Sequence, residues 1–108
     1  MGTKIATRNA YGQAIAELGD RYPEIICFDA DLAGATMSKY FKDKHPDRFF
    51  DMGIAEADMQ VVAAGAATCG FKPFTHTFAM FASGRAWEQI CCVCGTIVSV
   101  RMKSAPAR

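Results

Sequence analysis

Between Pro23 and Asp29 the chain runs Ile25-Ile26-Cys27-Phe28, four apolar residues with no polar interruption. A strand with one wet face alternates apolar and polar residues, so a run without alternation has to be covered on both sides. The run therefore predicts a buried β-strand in a parallel sheet with helices packed above and below it. The flanking segments supply those helices. Tyr11, Ala14, Ile15, Leu18 and Tyr22 recur at helical spacing and predict an amphipathic helix over Arg8–Arg21, with Thr7 as its N-cap and Pro23 as its stop. After a loop at Leu32–Ala35, Thr36–Lys44 reads as a short helix that buries Met37, Tyr40 and Phe41 and ends at His45-Pro46-Asp47.

The same alternation of elements continues. Phe49–Met52 reads as a second strand broken by Gly53, and Glu56–Thr68 as a helix with Met59, Val62, Ala63 and Ala66 on one face. Gly70 closes that helix. Phe71–Phe78 reads as a third strand, with Pro73 near its start, where a missing amide matters least. A last helix is expected from about Phe81, carrying Ala82, Trp87 and Ile90. Strands alternating with helices predict an α/β domain with a mostly parallel sheet. Three strands make that sheet thin and unfinished.

A chain of 108 residues suits one domain, and 51% hydrophobic with 21% charged residues suits a packed one. Twelve Lys/Arg among eleven Asp/Glu give a net charge of +1 with no long single-sign block, which argues against nucleic acid as a partner. No apolar stretch reaches the roughly 18 residues of a membrane span. Met1–Ala10 lacks the apolar centre of a signal peptide, so a cytoplasmic location is expected. Cys27 and Cys69 lie in apolar runs and read as buried free thiols. Cys91, Cys92 and Cys94 crowd together, but the only histidines are His45 and His76, and the spacing does not make a zinc site.

Strand ends carry the sites of open α/β sheets, so the polar residues there are the candidates. Asp29 and Asp31 follow the first strand, Glu56 follows the second, and the third ends at Thr77-Phe78. A carboxylate at a helix start ordinarily complements the helix dipole. Ile54, Ala55 and Met59 around Glu56 would instead desolvate it, which opposes the dipole in its effect on the carboxyl. Phe78 and Phe81, three apart at a strand-to-helix turn, suit core packing or the stacking of a flat heterocycle. No G-x-G-x-x-G, Walker lysine, H-E-x-x-H or G-x-S-x-G motif is present. These residues alone make no complete catalytic set.

The run from Phe49 through Asp51-Met52-Gly53-Ile54-Ala55-Glu56-Ala57-Asp58-Met59, followed by Ala63-Ala64-Gly65, resembles the pyrimidine-binding domain of transketolases. The likeness takes in Ala6-Thr7-Arg8, Asp29-Ala30-Asp31-Leu32, Gly70-Phe71-Lys72-Pro73 and Thr77-Phe78-Ala79-Met80-Phe81-Ala82, about residues 4–90 in family order. It implies a three-layer α/β/α thiamine-diphosphate-binding fold of the pyrimidine type, here incomplete. It also resembles the separate C-terminal subunit of split transketolases, whose other cofactor domain is a second polypeptide. By resemblance, Glu56 is the acid that protonates the pyrimidine ring of thiamine diphosphate, and Phe78 and Phe81 pack against that ring. By the same resemblance, Asp31 would be an acidic loop residue near cofactor and subunit interface, and Arg8 would hold the substrate's phosphate.

The resemblance implies two-carbon ketol transfer between sugar phosphates. It places magnesium and diphosphate on a partner diphosphate-binding subunit or domain, so no metal is assigned to this chain, and it implies a homo- or hetero-oligomer. A non-catalytic interaction subunit of the same fold and a deoxyxylulose-phosphate synthase-like enzyme are the alternatives; Asp31-Leu32 and Arg8 favour transketolase. Ala35 stands where some transketolases place a phosphate-binding serine, with Thr36 the nearest hydroxyl. Residues 1–90 are thus expected to form the N-terminal part of the domain. Residues 91–108, a cysteine cluster and a basic end, read as an atypical tail, the product of either a shifted reading frame or a truncation. The isolated chain is expected to be marginally stable and inactive.

Overall fold

The computed structural model describes residues 3–91; all of the expected tail except Cys91 lies outside them. Helix α1 (Thr7–Arg21) leads into strand β1 (Ile25–Asp29), then short helices α2 (Ala33–Thr36) and α3 (Lys39–Lys44) and a 3₁₀ turn at Pro46–Arg48. Strand β2 (Phe49–Asp51), helix α4 (Glu56–Thr68), strand β3 (Lys72–His76) and helices α5 (Ala79–Gly84) and α6 (Trp87–Gln89) complete the order. The sheet runs β2-β1-β3 and is parallel throughout.

All five residues of β1 are buried, as the unbroken apolar run requires. Its side chains divide between two cores. Ile25 and Cys27 pack with Ile15, Phe41 and Phe49. Ile26, Phe28 and Ala30 pack with Met59 and Ala63 on the opposite face. Helices α1 and α3 therefore cover one face and α4 the other, giving three layers. The topology explains the division. The chain steps from β1 to β2 and then returns past β1 to β3, and right-handed crossovers in opposite directions put their helices on opposite faces. Among the described residues β2 and β3 each keep an outer edge without a strand partner, an arrangement prone to edge-to-edge association.

Several local expectations are corrected. Helix α1 buries Gly12, Ile15, Ala16 and Gly19, while Tyr11, Leu18 and Tyr22 are more than a third exposed. The reason is close approach. A Cβ on Gly12 would lie 2.4 Å from the Met37 carbonyl oxygen, and one on Gly19 would lie 2.6 Å from the Phe41 ring. Gly12 and Gly19, together with Ile15, thus face α3, and Tyr11, Leu18 and Tyr22 do not. Thr7 is the first helical residue rather than the cap; Ala6 holds the cap position without a side-chain bond. Most of the expected loop at Leu32–Ala35 belongs to α2, which takes in Thr36, and the helix expected from Thr36 starts only at Lys39. Met37 breaks the two apart at φ 63°, a left-handed conformation.

Helix α4 turns Glu56, Met59, Gln60, Ala63 and Ala64 inward and leaves Val62 exposed. Its five buried positions follow the three-and-four spacing of a single helix face. Cys27 is buried as expected, and burial pushes its thiol up to about 12. Cys69 is exposed, because it caps α4 beyond the packed turn. Phe81 lies within α5 rather than opening a helix, and Trp87 falls in the separate α6.

Candidate functional site

The three strands end level with one another. Asp29 at the end of β1 is in register with Asp51 of β2 on one side and with His76 of β3 on the other. This row lies at the carboxyl edge of the sheet, beside the point where the strand order reverses, the position at which open α/β sheets bind ligands. Asp29 is fully buried. One of its oxygens accepts the Leu32 amide, and the other accepts the Thr36 hydroxyl at 3.1 Å and the Ser38 hydroxyl at 2.8 Å. The carboxylate therefore shapes the whole β1–α3 connection. Thr36, the hydroxyl nearest the expected phosphate position, faces inward to Asp29 and to the Leu32 carbonyl, also at 3.1 Å.

Asp31 stands on that connection at φ 61°, with its side chain exposed. Its amide donates to Asp51 Oδ1 at 3.1 Å, and the same oxygen accepts the Gly53 amide at 2.9 Å. Asp51 thus ties the loop after β1 to the loop after β2. Arg8 is exposed in the first turn of α1.

Glu56 opens α4 yet is only 4% exposed. Of the three apolar neighbours expected to desolvate it, Met59 is fully buried and Ala55 half-buried, whereas Ile54 is 74% exposed. One carboxylate oxygen lies 3.5 Å from an Arg85 guanidinium nitrogen. The Arg85 guanidinium in turn lies over the Phe81 ring, 4.4 Å from its centroid. Phe81 stacks on Phe78 with centroids 6.0 Å apart and planes inclined by 29°. Glu56, Arg85, Phe81 and Phe78 therefore form one continuous group: a buried carboxylate at one end and an exposed ring at the other. Next to Phe78, the Thr77 hydroxyl oxygen is buried without a partner among the described residues. The site residues named from sequence thus divide: Glu56, Phe78 and Phe81 come together, whereas Asp31 and Arg8 stand on separate segments.

His76, Asp51 and Arg85 were not candidates from sequence. His76 is buried; its Nδ1 lies 2.9 Å from the Phe28 carbonyl and its Nε2 lies 2.8 Å from the Tyr11 hydroxyl. A carbonyl only accepts, so Nδ1 carries the proton and Nε2 accepts from Tyr11, a neutral ring with a fixed tautomer. Burial holds the His76 pKa below its ordinary value and pushes Tyr11 up to about 12. The sign of the pH effect follows. The unfolded chain protonates this ring near its ordinary pKa while the folded chain does not, so the unfolded state binds more protons as the solution is acidified. The stabilisation is present above about pH 6.5 and is lost as pH falls toward the folded value. Urea melts between pH 5 and 8 are expected to show this decline in the natural chain and a flatter profile in His76→Gln. Equal slopes in the two would rule out the assignment. Among the described residues no group of three or more His, Cys, Asp or Glu is placed to hold a metal ion.

A parallel sheet between two helical layers, with a buried acid and stacked rings beyond its carboxyl edge, makes a small three-layer α/β domain. Residues 3–102 match the family described as the transketolase pyrimidine-binding domain, and the chain belongs to that family. It is 48% identical over 83 residues to a Methanocaldococcus jannaschii protein named as a transketolase C-terminal section, covering 77% of this chain and 26% of that protein. It is 50% identical over 91 residues to human transketolase, covering 83% of this chain and 14% of the enzyme. A solved structure described as a split gene transketolase, inactive β4 tetramer, is similar with TM-score 0.75 and 50% identity, over 84% of this chain and 30% of that one. The chain thus spans about a quarter or less of the length of these two curated relatives.

Proposed function

We propose that this chain provides the pyrimidine half of a thiamine-diphosphate site in a cytoplasmic ketol transferase. The enzyme would move a two-carbon unit between sugar phosphates. The observation that carries the reading is the buried Glu56 carboxylate, linked through Arg85 to the Phe78–Phe81 stack. An aminopyrimidine needs an acid at its ring nitrogen and a flat apolar surface against its face, and these residues fit both needs. The orphaned Thr77 hydroxyl beside Phe78 is a further polar atom that a ligand would satisfy.

The chemistry such a cofactor supplies when bound is a nucleophilic thiazolium carbon. Glu56 would hold a proton at the pyrimidine N1′, a task its inward-turned carboxyl is placed for. Phe78 and Phe81 would orient the ring. Asp31 would lie near the cofactor and the subunit boundary, its loop held by Asp51. Arg8 would grip the substrate phosphate with its guanidinium fork. Magnesium and diphosphate would be held by a partner diphosphate-binding subunit or domain. The description of the structural relative as an inactive tetramer of β chains supports a division of labour in which this half requires its partner.

The test is reconstitution. The 108-residue chain, a diphosphate-binding transketolase subunit, thiamine diphosphate and magnesium are mixed with a ketose phosphate donor and an aldose phosphate acceptor. Transfer is expected from the pair and from neither polypeptide alone. A pair that assembles and binds the cofactor without any transfer would favour a non-catalytic interaction subunit.

A further inference from the structure

We infer that Arg85 is a built-in occupant of the heterocycle seat, a side chain that plugs the site and has to be displaced when a ligand enters. The inference rests on the reading of Glu56, Phe78 and Phe81 as a pyrimidine site and adds a gate to it.

The argument is one of matched contacts. A protonated aminopyrimidine is flat and cationic: it turns an N–H edge to a carboxylate and lays a face on an aromatic ring. The guanidinium of Arg85 is also flat and cationic, and it makes the same pair of contacts. One of its nitrogens lies 3.5 Å from Glu56, and its carbon lies 4.4 Å from the Phe81 centroid. Both groups cannot use the same edge of Glu56 and the same face of Phe81 at once. Arg85 also removes a penalty, because a carboxylate as buried as Glu56 is costly without a counter-charge.

The plug is built to leave. The Arg85 side chain is 56% exposed, so it can swing into water without repacking the core. It follows α5 at the break before α6, and its neighbour Gly84 has nothing within 4 Å of the position a Cβ would take. A half-exposed ion pair and a single cation–π contact are each weak, and together they set a modest barrier of roughly tenfold in affinity.

Thiamine, which carries the aminopyrimidine without the diphosphate, is the probe, so no partner subunit is needed. Trp87, the only tryptophan in the sequence and exposed two residues from Arg85, reports binding to the 108-residue chain by fluorescence. The ¹⁵N signal of the Arg85 Nε, identified by its loss in Arg85→Ala, reports displacement. Arg85→Ala is expected to bind thiamine roughly tenfold more tightly than the natural chain. Arg85→Lys, which keeps the charge and loses the flat face, should fall between them, and the Nε signal should move toward its solvent value as thiamine binds. Equal affinities, or a signal that stays put while thiamine binds, would overturn the plug and leave the pyrimidine reading intact. Failure of folded Arg85→Ala and of the natural chain to bind millimolar thiamine would overturn the pyrimidine reading and the plug with it.

Discussion

Glu56→Gln in the assembled enzyme is expected to lower kcat by a factor of about 10²–10⁴ while the domain still melts cooperatively. Glutamine keeps the shape of the side chain and can still meet Arg85 or a ring nitrogen with its amide. It cannot hold a transferable proton. The competing account makes Glu56 a residue that only complements the dipole of α4. On that account the exchange would cost about 0.3–1 kcal/mol of stability and no turnover. A dipole partner works as well in water, so the inward turn of Glu56, only 4% exposed, favours the first account. Steady-state ketol transfer and a thermal melt on the same preparation decide between them. Unchanged kcat with a slightly lower melting temperature would remove Glu56 from the chemistry. The variant stays interpretable because Arg85, left without its counter-charge, is exposed enough to be solvated.

Much of the frame was legible because it depends on local pattern. The run Ile25–Phe28 suited a strand covered on both faces, and it became the centre of the sheet. Glu56–Thr68 was bounded by Gly53 and Gly70 and formed as a helix over those residues. The face of α1 was misread because hydrophobic periodicity gives no weight to glycine. Gly12 and Gly19 face inward since nothing larger fits against Met37 and Phe41. The break at Met37 was equally hidden, because a positive φ at a methionine has no compositional signal. At the site, Glu56 and the two phenylalanines could be named from their places after strands. Arg85 and His76 could not. Arg85 meets Glu56 across 29 positions, and His76 meets Tyr11 across 65, pairings that exist only once the sheet has assembled. A histidine at the end of a strand, where Asp29 also sits, was the one available signal for the second.

Asp29→Ala is expected to be the most damaging single change to the described domain, at about 3–5 kcal/mol. The carboxylate is wholly buried and is shared by the Leu32 amide and the hydroxyls of Thr36 and Ser38. Exchanging a buried charge for an apolar residue is tolerated when its partners leave with it. Here they stay. Alanine would leave the half-buried Leu32 amide without its acceptor, and the Thr36 and buried Ser38 hydroxyls would keep each other and the Leu32 carbonyl as protein partners. A loss of that size is a large share of the roughly 5–15 kcal/mol available to a whole domain, and the edges of β2 and β3 that are open among the described residues add a route to aggregation. Asp29→Asn should cost much less, because one oxygen remains for the Leu32 amide and the new N–H₂ faces hydroxyls that can accept. The effect should also reach the site, since the stranded segment carries Asp31 in its left-handed conformation. Urea melts of the two variants beside the natural chain provide the comparison, with the midpoint falling far in Asp29→Ala and little in Asp29→Asn. Equal midpoints for alanine and the natural chain would mean that the connection after β1 is held by its backbone and not by this carboxylate.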